Sequence, residues 1–419
     1  MKLQRKDIDI MAPVGSYESL AAAIQAGTTS IYFGIENLNM RAKSSNNFGL
    51  DDLKKITTIC SENGVKSYLT INTIMYDEDL QLMHRIVDAA SVSNVSAIIA
   101  ADIATIEYSR KMGVEVHIST QLSVSNSEAL KYYSQYADVV VLARELKLEQ
   151  IQKIFENIAN QDIRGPHGLP VKIELFAHGA FCMSISGRCF MSLHETNQSA
   201  NRGACRQTCR KSYLVTEKES GNQMEVDSQY IMSPKDLCTI GIVDLMIKSG
   251  VSVFKIEGRA RSAEYVKTVV ECYREAIDSY FDNSYTPDKI SAWVERLKMV
   301  FNRGFWDGYY MGHKTFELSK IYGSKATKKK FYVGKVTNYF SNLGVGEFLL
   351  EADKLEVGQE VMIVGPTTGV IQLIVSEIRL EFDAVPIAEK GNLISIPVSQ
   401  KLRRADKLYK LVDETPLIN

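Results

Sequence analysis

Between residues 8 and 281 the chain alternates short apolar runs with longer stretches of helical spacing, and this alternation restricts the fold more than any other feature. The apolar runs fall at 8–11, 30–34, 66–71, 97–100, 115–119, 139–142, 172–177 and 253–256. Strands of a parallel sheet are covered on both faces, so they read as short, nearly continuous apolar runs of this kind. Between them, 17–27 ends on a Gly suited to a left-handed helix cap and 50–63 ends on Asn63-Gly64. The stretches 79–93 and 127–134 repeat the pattern, and 264–280 is a long run of good helix formers. Strand–helix alternation predicts an α/β fold with a parallel sheet. Eight strands in this span predict a (β/α)8 barrel of the TIM type, usually about 250 residues long. A doubly wound sheet is the competing architecture.

One connection is out of proportion. More than fifty residues, about 178–233, separate the strand at 172–177 from a helix expected to start near Pro234. A loop of that length in a compact domain is functional or disordered. This one also leaves the C-terminal end of a strand, the catalytic face of such a barrel. The expected first domain is therefore 1–320, with 178–233 as an insertion. Residues 290–301 read as one more helix, and 302–312 show no clear period. Past Lys330, β-branched runs at 331–340, 346–350, 361–364, 370–378 and 393–398 are separated by Gly, Asn or Pro. They predict a second domain, 330–415, built as a small antiparallel β-barrel.

Composition narrows the function classes. With 49 Lys+Arg against 50 Asp+Glu, the chain is no uniformly basic nucleic-acid coat, so any RNA contact must use a local patch. No apolar run approaches the roughly 18–20 residues that cross a bilayer, and the first ten residues lack the apolar stretch of a signal peptide. No membrane association is expected, and the expected location is the cytoplasm, where thiols stay reduced.

That expectation gives weight to four cysteines within 28 residues, Cys182, Cys189, Cys205 and Cys209, spaced C-x6-C-x15-C-x3-C. Zinc and an iron–sulfur cluster are the two candidates. Structural zinc sites usually use tight C-x2-C pairs, absent here, whereas looser spacings suit a larger 4Fe-4S cubane reached from separate loops. Arg188, Arg202, Arg206, Arg210 and Lys211 oppose one acid, Glu195, in this stretch and would balance the cluster's negative charge. Cys60 and Cys272 fall inside helical patterns as small core residues, and Cys238, at an expected helix start, is a fifth candidate ligand.

The run Glu174-x-Phe-x-His-Gly-Ala-x-Cys182, with Gly187-x-Cys189 and Asn201-Arg-Gly-x-Cys205-x-x-x-Cys209-Arg, resembles the signature of the collagenase-like U-type peptidase family. Lys255-Ile-Glu-Gly-Arg259-Ala-Arg-Ser262-x-x-Tyr265 resembles its second signature, and the likeness extends from about residue 10 to 313. Despite the family's name, its better-understood members hydroxylate RNA bases or an aromatic ring and carry a 4Fe-4S cluster on four cysteines. By length and domain plan the chain is most similar to the tRNA-hydroxylation members, which form 5-hydroxyuridine at the wobble position and depend on prephenate. The resemblance thus implies a 4Fe-4S cluster on Cys182, Cys189, Cys205 and Cys209, a tRNA partner and prephenate as co-substrate. A collagenase-like peptidase, or a hydroxylase of another RNA or aromatic substrate, is the alternative.

The strand ends supply a polar set converging on the expected barrel mouth. Gly15, after the first strand, could let a ligand approach the backbone; Tyr32 lies in the second strand, Asn72 follows the third and Asp102 the fourth, and His117 and Gln121, then Arg144, close the fifth and sixth. Glu174 and His178 flank the end of the seventh, and Lys255, Glu257, Arg259 and Arg261 surround the eighth. Glu174, His178, Lys255 and Glu257 are the candidates for catalysis; His117, Gln121, Arg144, Arg259 and Arg261 are the candidates for substrate binding. Any one of them is as readily a core salt bridge, a helix cap or a solvated loop residue. The guanidinium fork fits carboxylates, so the arginines suit the two carboxylates of prephenate. For RNA, Lys328, Lys329 and Lys330 form one basic run and Arg403 and Arg404 belong to another, with Tyr332, Tyr339 and Tyr409 as stacking candidates. A thiol hydrolase would need a base beside one cysteine, for which His178 is the nearest in sequence. The His-Glu-x-x-His of a metalloprotease is missing.

Overall fold

The structure, a computed structural model, describes residues 2–43, 47–185, 188–214, 216–221, 232–315, 317–320 and 323–414. The barrel strands are β1 (Asp9–Pro13), β2 (Ser30–Gly34), β3 (Lys66–Ile71), β4 (Ala97–Ala100), β5 (Val116–Ile118), β6 (Val139–Val141), β7 (Lys172–Gly179) and, after a short β8 (Asp236–Cys238), β9 (Val251–Ile256). They pair in parallel in chain order, and β9 closes the ring by pairing with both β7 and β1. This is the (β/α)8 barrel that the apolar runs predict, and the doubly wound alternative is excluded by closure.

Side-chain alternation sorts each strand into two cores. Met11, Tyr32, Tyr68, Ile99, Val139 and Val253 form a separate buried cluster inside the barrel. Their neighbours Ile10, Ile31, Leu69, Ile98, Val140 and Phe254 face outward into the larger core shared with the helices. The surrounding helices include α1 (Tyr17–Gln25), α2 (Asp52–Glu62), α3 (Asp77–Val92), α4 (Ile103–Lys111), α5 (Ser127–Tyr133) and α6 (Leu148–Asn160). The insertion carries α7 (Met191–Thr196), followed by α8 (Val243–Lys248), α9 (Ala263–Phe281) and α10 (Pro287–Met299). The α9 helix buries Tyr265, Val269, Cys272, Tyr273 and Ala276 at helical spacing, so Cys272, like buried Cys60, is a core residue.

Two features differ from the sequence reading. The segment after Pro234 is not a helix start but β8, whose Leu237 and Cys238 pair antiparallel with Gly179 and His178 at the end of β7. A two-residue strand, β10 (Phe305–Trp306), then pairs with β8 in the region without a readable period. Three-residue strands fixed by distant partners carry too little local pattern to be read.

The C-terminal unit runs through β11 (Lys328–Phe340), β12 (Val345–Leu350), β13 (Leu355–Glu356), β14 (Glu360–Gly365), β15 (Gly369–Ile374), β16 (Ile378–Leu380), β17 (Asp383–Val385), β18 (Ile387–Ala388), β19 (Leu393–Pro397) and β20 (Lys407–Asp413). Eight of these form one antiparallel sheet in the order β15-β14-β20-β11-β12-β19-β16-β17, and β13 and β18 form a second ladder. The sheet curls around a single core that includes Val336, Phe348, Val361, Ile378 and Ile396. It docks on the barrel's helices through Met362 and Val370, which meet Ala22 of α1 and Ala263 of α9. Gln25 of α1 bridges the seam, donating from Nε2 to the Thr368 carbonyl at 2.5 Å and accepting from the Val370 N–H at 3.0 Å.

Candidate active site

A cavity of about 160 Å³ opens at the C-terminal end of the barrel and is roofed by the cysteine insertion. That matches the roughly 150 Å³ of an engineered cavity that admits benzene, so a ring-sized group fits. All four clustered cysteines line it, together with Gln121, Arg144, Lys255, Glu257, Arg259 and Arg261 from the predicted polar set. The Cys182 sulfur accepts from the Ser184 N–H and the Cys189 sulfur from the Met191 N–H, each at 3.4 Å. Burial pushes the Cys209 thiol up to about 11, against the pull of Arg210, and the other three cysteines push the same way. Among the described residues no three Cys, His, Asp or Glu side chains converge tightly enough to chelate a single ion.

The cavity is strongly basic. Arg41, Arg210 and Arg303 line it alongside Arg144, Lys255, Arg259 and Arg261, and Glu257 is the carboxylate that faces them. Arg41 grips Oε1 of Glu257 from Nη2 at 2.8 Å and Nε at 3.2 Å, while the Tyr32 hydroxyl donates to Oε2 at 3.1 Å. Burial alone would raise the Glu257 carboxyl, but Arg41, with Arg144 and Arg259 beyond it, holds it down at about 2. Arg259 is buried and donates to Asn39 Oδ1 at 2.6 Å and Thr70 Oγ1 at 3.2 Å, and burial lowers its guanidinium to about 10. The Arg144 guanidinium carbon lies 3.7 Å from the centre of the Phe176 ring, and its buried Nε has no hydrogen-bond partner. Arg261 likewise covers Phe301 at 3.4 Å. Stacking leaves both forks free to take an anion in their own plane.

Beneath them, the Lys255 ammonium donates to Oε1 of Glu174 at 2.6 Å, a pair buried within the barrel. Glu174 does not reach the cavity wall, and its Oε2 has no hydrogen-bond partner.

Several predicted residues sit elsewhere. By strict alternation His178 would share the inward face of Glu174 and Phe176, but β7 shifts register against β9 between Phe176 and His178. The bulge turns the imidazole outward, among Tyr265, Tyr273 and Phe305. Burial and the nearby Arg261 charge lower it to about 3, so it is neutral and away from the cavity wall. His117 faces inward but below the cavity, against Tyr68 and with Nε2 3.1 Å from Glu115. Asp102 caps α4, accepting from the Ala104 N–H, and Cys238 lies on β8 outside the cavity, so neither joins the site. Gly15 makes room for protein rather than ligand: a Cβ there would lie 2.1 Å from the Arg259 carbonyl. Gly179, at φ +108°, similarly admits the Glu257 carbonyl.

The local basic residues were misleading too. Arg202 pairs with Asp79, Lys211 with Glu195, and Arg206 meets the Gln198 amide, so of the insertion's cations Arg210 is the one that lines the cavity. It is buried, donating to the Phe181 carbonyl at 2.7 Å and to Ser233 Oγ at 2.9 Å. Arg41 and Arg303 were missed because they lie in stretches without regular period. The unusual length of the connection from β2 to α2 was the available signal for Arg41.

On the small sheet unit, Lys328 pairs with Glu360, Lys329 with Glu414 at 3.4 Å and Lys330 with Glu264 of α9 at 2.7 Å. The run read as a free basic patch is therefore neutralised by acids distant in sequence. Tyr332 and Tyr409 pack edge to face, and the Tyr339 hydroxyl is bound to the Val398 carbonyl. Arg403 and Arg404 are exposed.

Closed barrel, cysteine roof and basic cavity together define a catalytic-type (β/α)8 site rather than a scaffold. The family described as Peptidase family U32 matches residues 15–320, and the chain belongs to it. A protein named "Collagenase" from Porphyromonas gingivalis is 58% identical over 404 residues, 96% of this chain and 98% of that one. An uncharacterized protease of Methanocaldococcus jannaschii is 35% identical, over 96% of this chain and 98% of its own length. "tRNA hydroxylation protein P1" of Bacillus subtilis is 32% identical, over 90% of this chain and 89% of its own. No described helix is long and apolar enough to cross a membrane.

Proposed function

We propose that this chain is an iron–sulfur enzyme of tRNA modification that hydroxylates the wobble uridine to 5-hydroxyuridine, with prephenate as co-substrate. The observation that carries this reading is the cavity itself, in which four thiols from one insertion face six arginines, of which Arg41 is paired with Glu257 and Arg303 with Asp236 while Arg144 and Arg261 rest on aromatic rings. The tRNA-hydroxylation name of the Bacillus relative supports an RNA substrate, and such a substrate puts the enzyme in the cytoplasm.

The donor set fits a 4Fe-4S cluster held by Cys182, Cys189, Cys205 and Cys209. Backbone N–H groups already aim at two of the sulfurs, and such hydrogen bonds tune the potential of a cluster. Structural zinc sites usually set their sulfurs about 2.3 Å from the ion on tight C-x2-C pairs, which this spacing lacks. When bound, the cluster supplies one-electron chemistry that side chains lack. Arg144 and Arg261, each resting on an aromatic ring, would take the two carboxylates of a small diacid. Glu257, kept ionised by Arg41, holds that arginine against the rim. The roof formed by the insertion excludes water from the bound ring.

A peptidase reading has in its favour the name of the Porphyromonas relative. A thiol protease needs a thiolate beside a base, yet among the described lining residues there is no histidine and the Cys209 thiol is raised to about 11. Anaerobic purification tests the reading. Iron and sulfide in near-stoichiometric amounts, lost in Cys182→Ala, are expected. Metal-free protein that cleaves gelatin would overturn it.

A further inference from the structure

The outer face of the cysteine insertion turns large apolar side chains to solvent around the cavity mouth. Phe190 is 72% exposed, Leu193 38% and Tyr213 37%. Phe190 stands between Cys189 and Ser192, both of which line the cavity, and the Tyr213 hydroxyl donates to the carbonyl of Thr208, another lining residue. Tyr76, 53% exposed, packs on the insertion under Arg202, whose guanidinium lies 3.9 Å from its ring centre. Two exposed cations flank this surface. Arg188 donates to the Gln121 carbonyl at 3.1 Å and Arg206 to the Gln198 amide oxygen at 3.0 Å, so each is anchored by a neutral group and its charge is left uncompensated.

We propose that this face is where the enzyme grips its RNA. In this reading an unpaired loop stacks one base on Phe190, sets its phosphates on Arg188 and Arg206, and delivers the adjacent nucleotide to the cavity. This rests on the RNA reading above and names the substrate element it recognises. Aromatic platforms interleaved with unneutralised cations are what single-stranded nucleic acid requires, because every base has a stacking face and every step a phosphate. Arg144, Arg210 and Arg261 inside the mouth add to the same field, so the rim attracts a polyanion although the whole chain carries a formal charge of −1. A base inside a duplex cannot enter a roofed cavity, which selects loops over paired stems. On the small sheet unit, by contrast, Lys328, Lys329 and Lys330 already have acid partners.

The test is fluorescence-anisotropy binding of a synthetic tRNA anticodon stem–loop to full-length protein purified anaerobically. Phe190→Ala and Phe190→Leu are both expected to weaken binding about 5- to 150-fold, the range for one lost base stack, while Phe190→Tyr stays near wild type. Replacing Arg188 and Arg206 by Ala should flatten the slope of log affinity against log salt by about 0.7 per cation. Phe382→Ala, which removes a 90% exposed aromatic from the small sheet unit, leaves binding unchanged. Iron content and circular dichroism matched to wild type show that each variant is folded. If wild-type protein binds the loop while the Phe190 and arginine variants bind equally well, the docking face is wrong and the hydroxylation reading stands. Equal affinity for a blunt RNA duplex also overturns it. If wild-type protein binds neither the loop nor whole tRNA, both readings fall.

Discussion

Replacing Lys255 by Met removes the counter-charge from Glu174, a carboxylate with no solvent exposure. Oε1 of Glu174 then loses its 2.6 Å hydrogen bond, and Oε2 already has none. Breaking a buried ion pair from one side costs about 3–5 kcal/mol, since the remaining charge is left uncompensated. With unfolding entropy of about 2.1 cal/mol/K per residue over a barrel of about 300 residues, the barrel's transition should fall by about 5–8 °C. Thermal unfolding followed by near-ultraviolet circular dichroism measures this directly. Adding Glu174→Gln to Lys255→Met removes the stranded charge and should recover most of the loss, because the two changes share one interaction. Modification activity then separates two roles. If the pair only holds the barrel together, activity returns with stability; if Lys255 touches substrate, stability returns alone. A Lys255→Met protein that melts within about 1 °C of wild type would show that Glu174 is not left as an uncompensated buried charge.

Two further outcomes follow from the cavity and one from the seam between the barrel and the small sheet unit. Glu257, held at about 2 in the folded protein against an ordinary value of 4.5, contributes stability that is present above pH 4.5 and lost as pH falls towards 2. Glu257→Gln should therefore cost about 3 kcal/mol at pH 6, with the gap from wild type narrowing in urea titrations at pH 3. Arg144→Lys and Arg261→Lys keep the charge but lose the planar fork stacked on Phe176 and Phe301. With prephenate as the proposed co-substrate, each should raise the concentration needed for half-maximal activity about tenfold or more and leave the metal content equal to that of wild type. Gln25→Ala removes both hydrogen bonds that bridge α1 to the 368–370 turn, and limited proteolysis should cut between the barrel and the small sheet unit faster than in wild type.

The eight barrel strands were legible because each is buried on both faces and so carries an uninterrupted apolar run. The insertion was legible by its length and its thiols. Strand β8 was not, because Asp236–Cys238 takes its conformation from the end of β7 and from Arg303, which reaches Asp236 at 3.3 Å across 67 positions of sequence. Within the site, residues next to a signature were found, while Arg41 and Arg303 came from irregular segments whose position only the closed barrel fixes. His178 shows the opposite failure. The sequence periodicity points it inward, but one bulge reverses it. The paired lysines show a third: Glu264, Glu360 and Glu414 lie far from the basic run in sequence, so its neutralisation is a property of the tertiary fold alone.

The central claim is that four cysteines at the barrel mouth serve the hydroxylation of tRNA. Nucleoside analysis of tRNA from a deletion strain, complemented with wild-type protein or with Cys182→Ala, tests it most directly. 5-Hydroxyuridine should be absent in the deletion, restored by wild type and not restored by Cys182→Ala. Unchanged 5-hydroxyuridine in the deletion strain, or full restoration by Cys182→Ala, would contradict it.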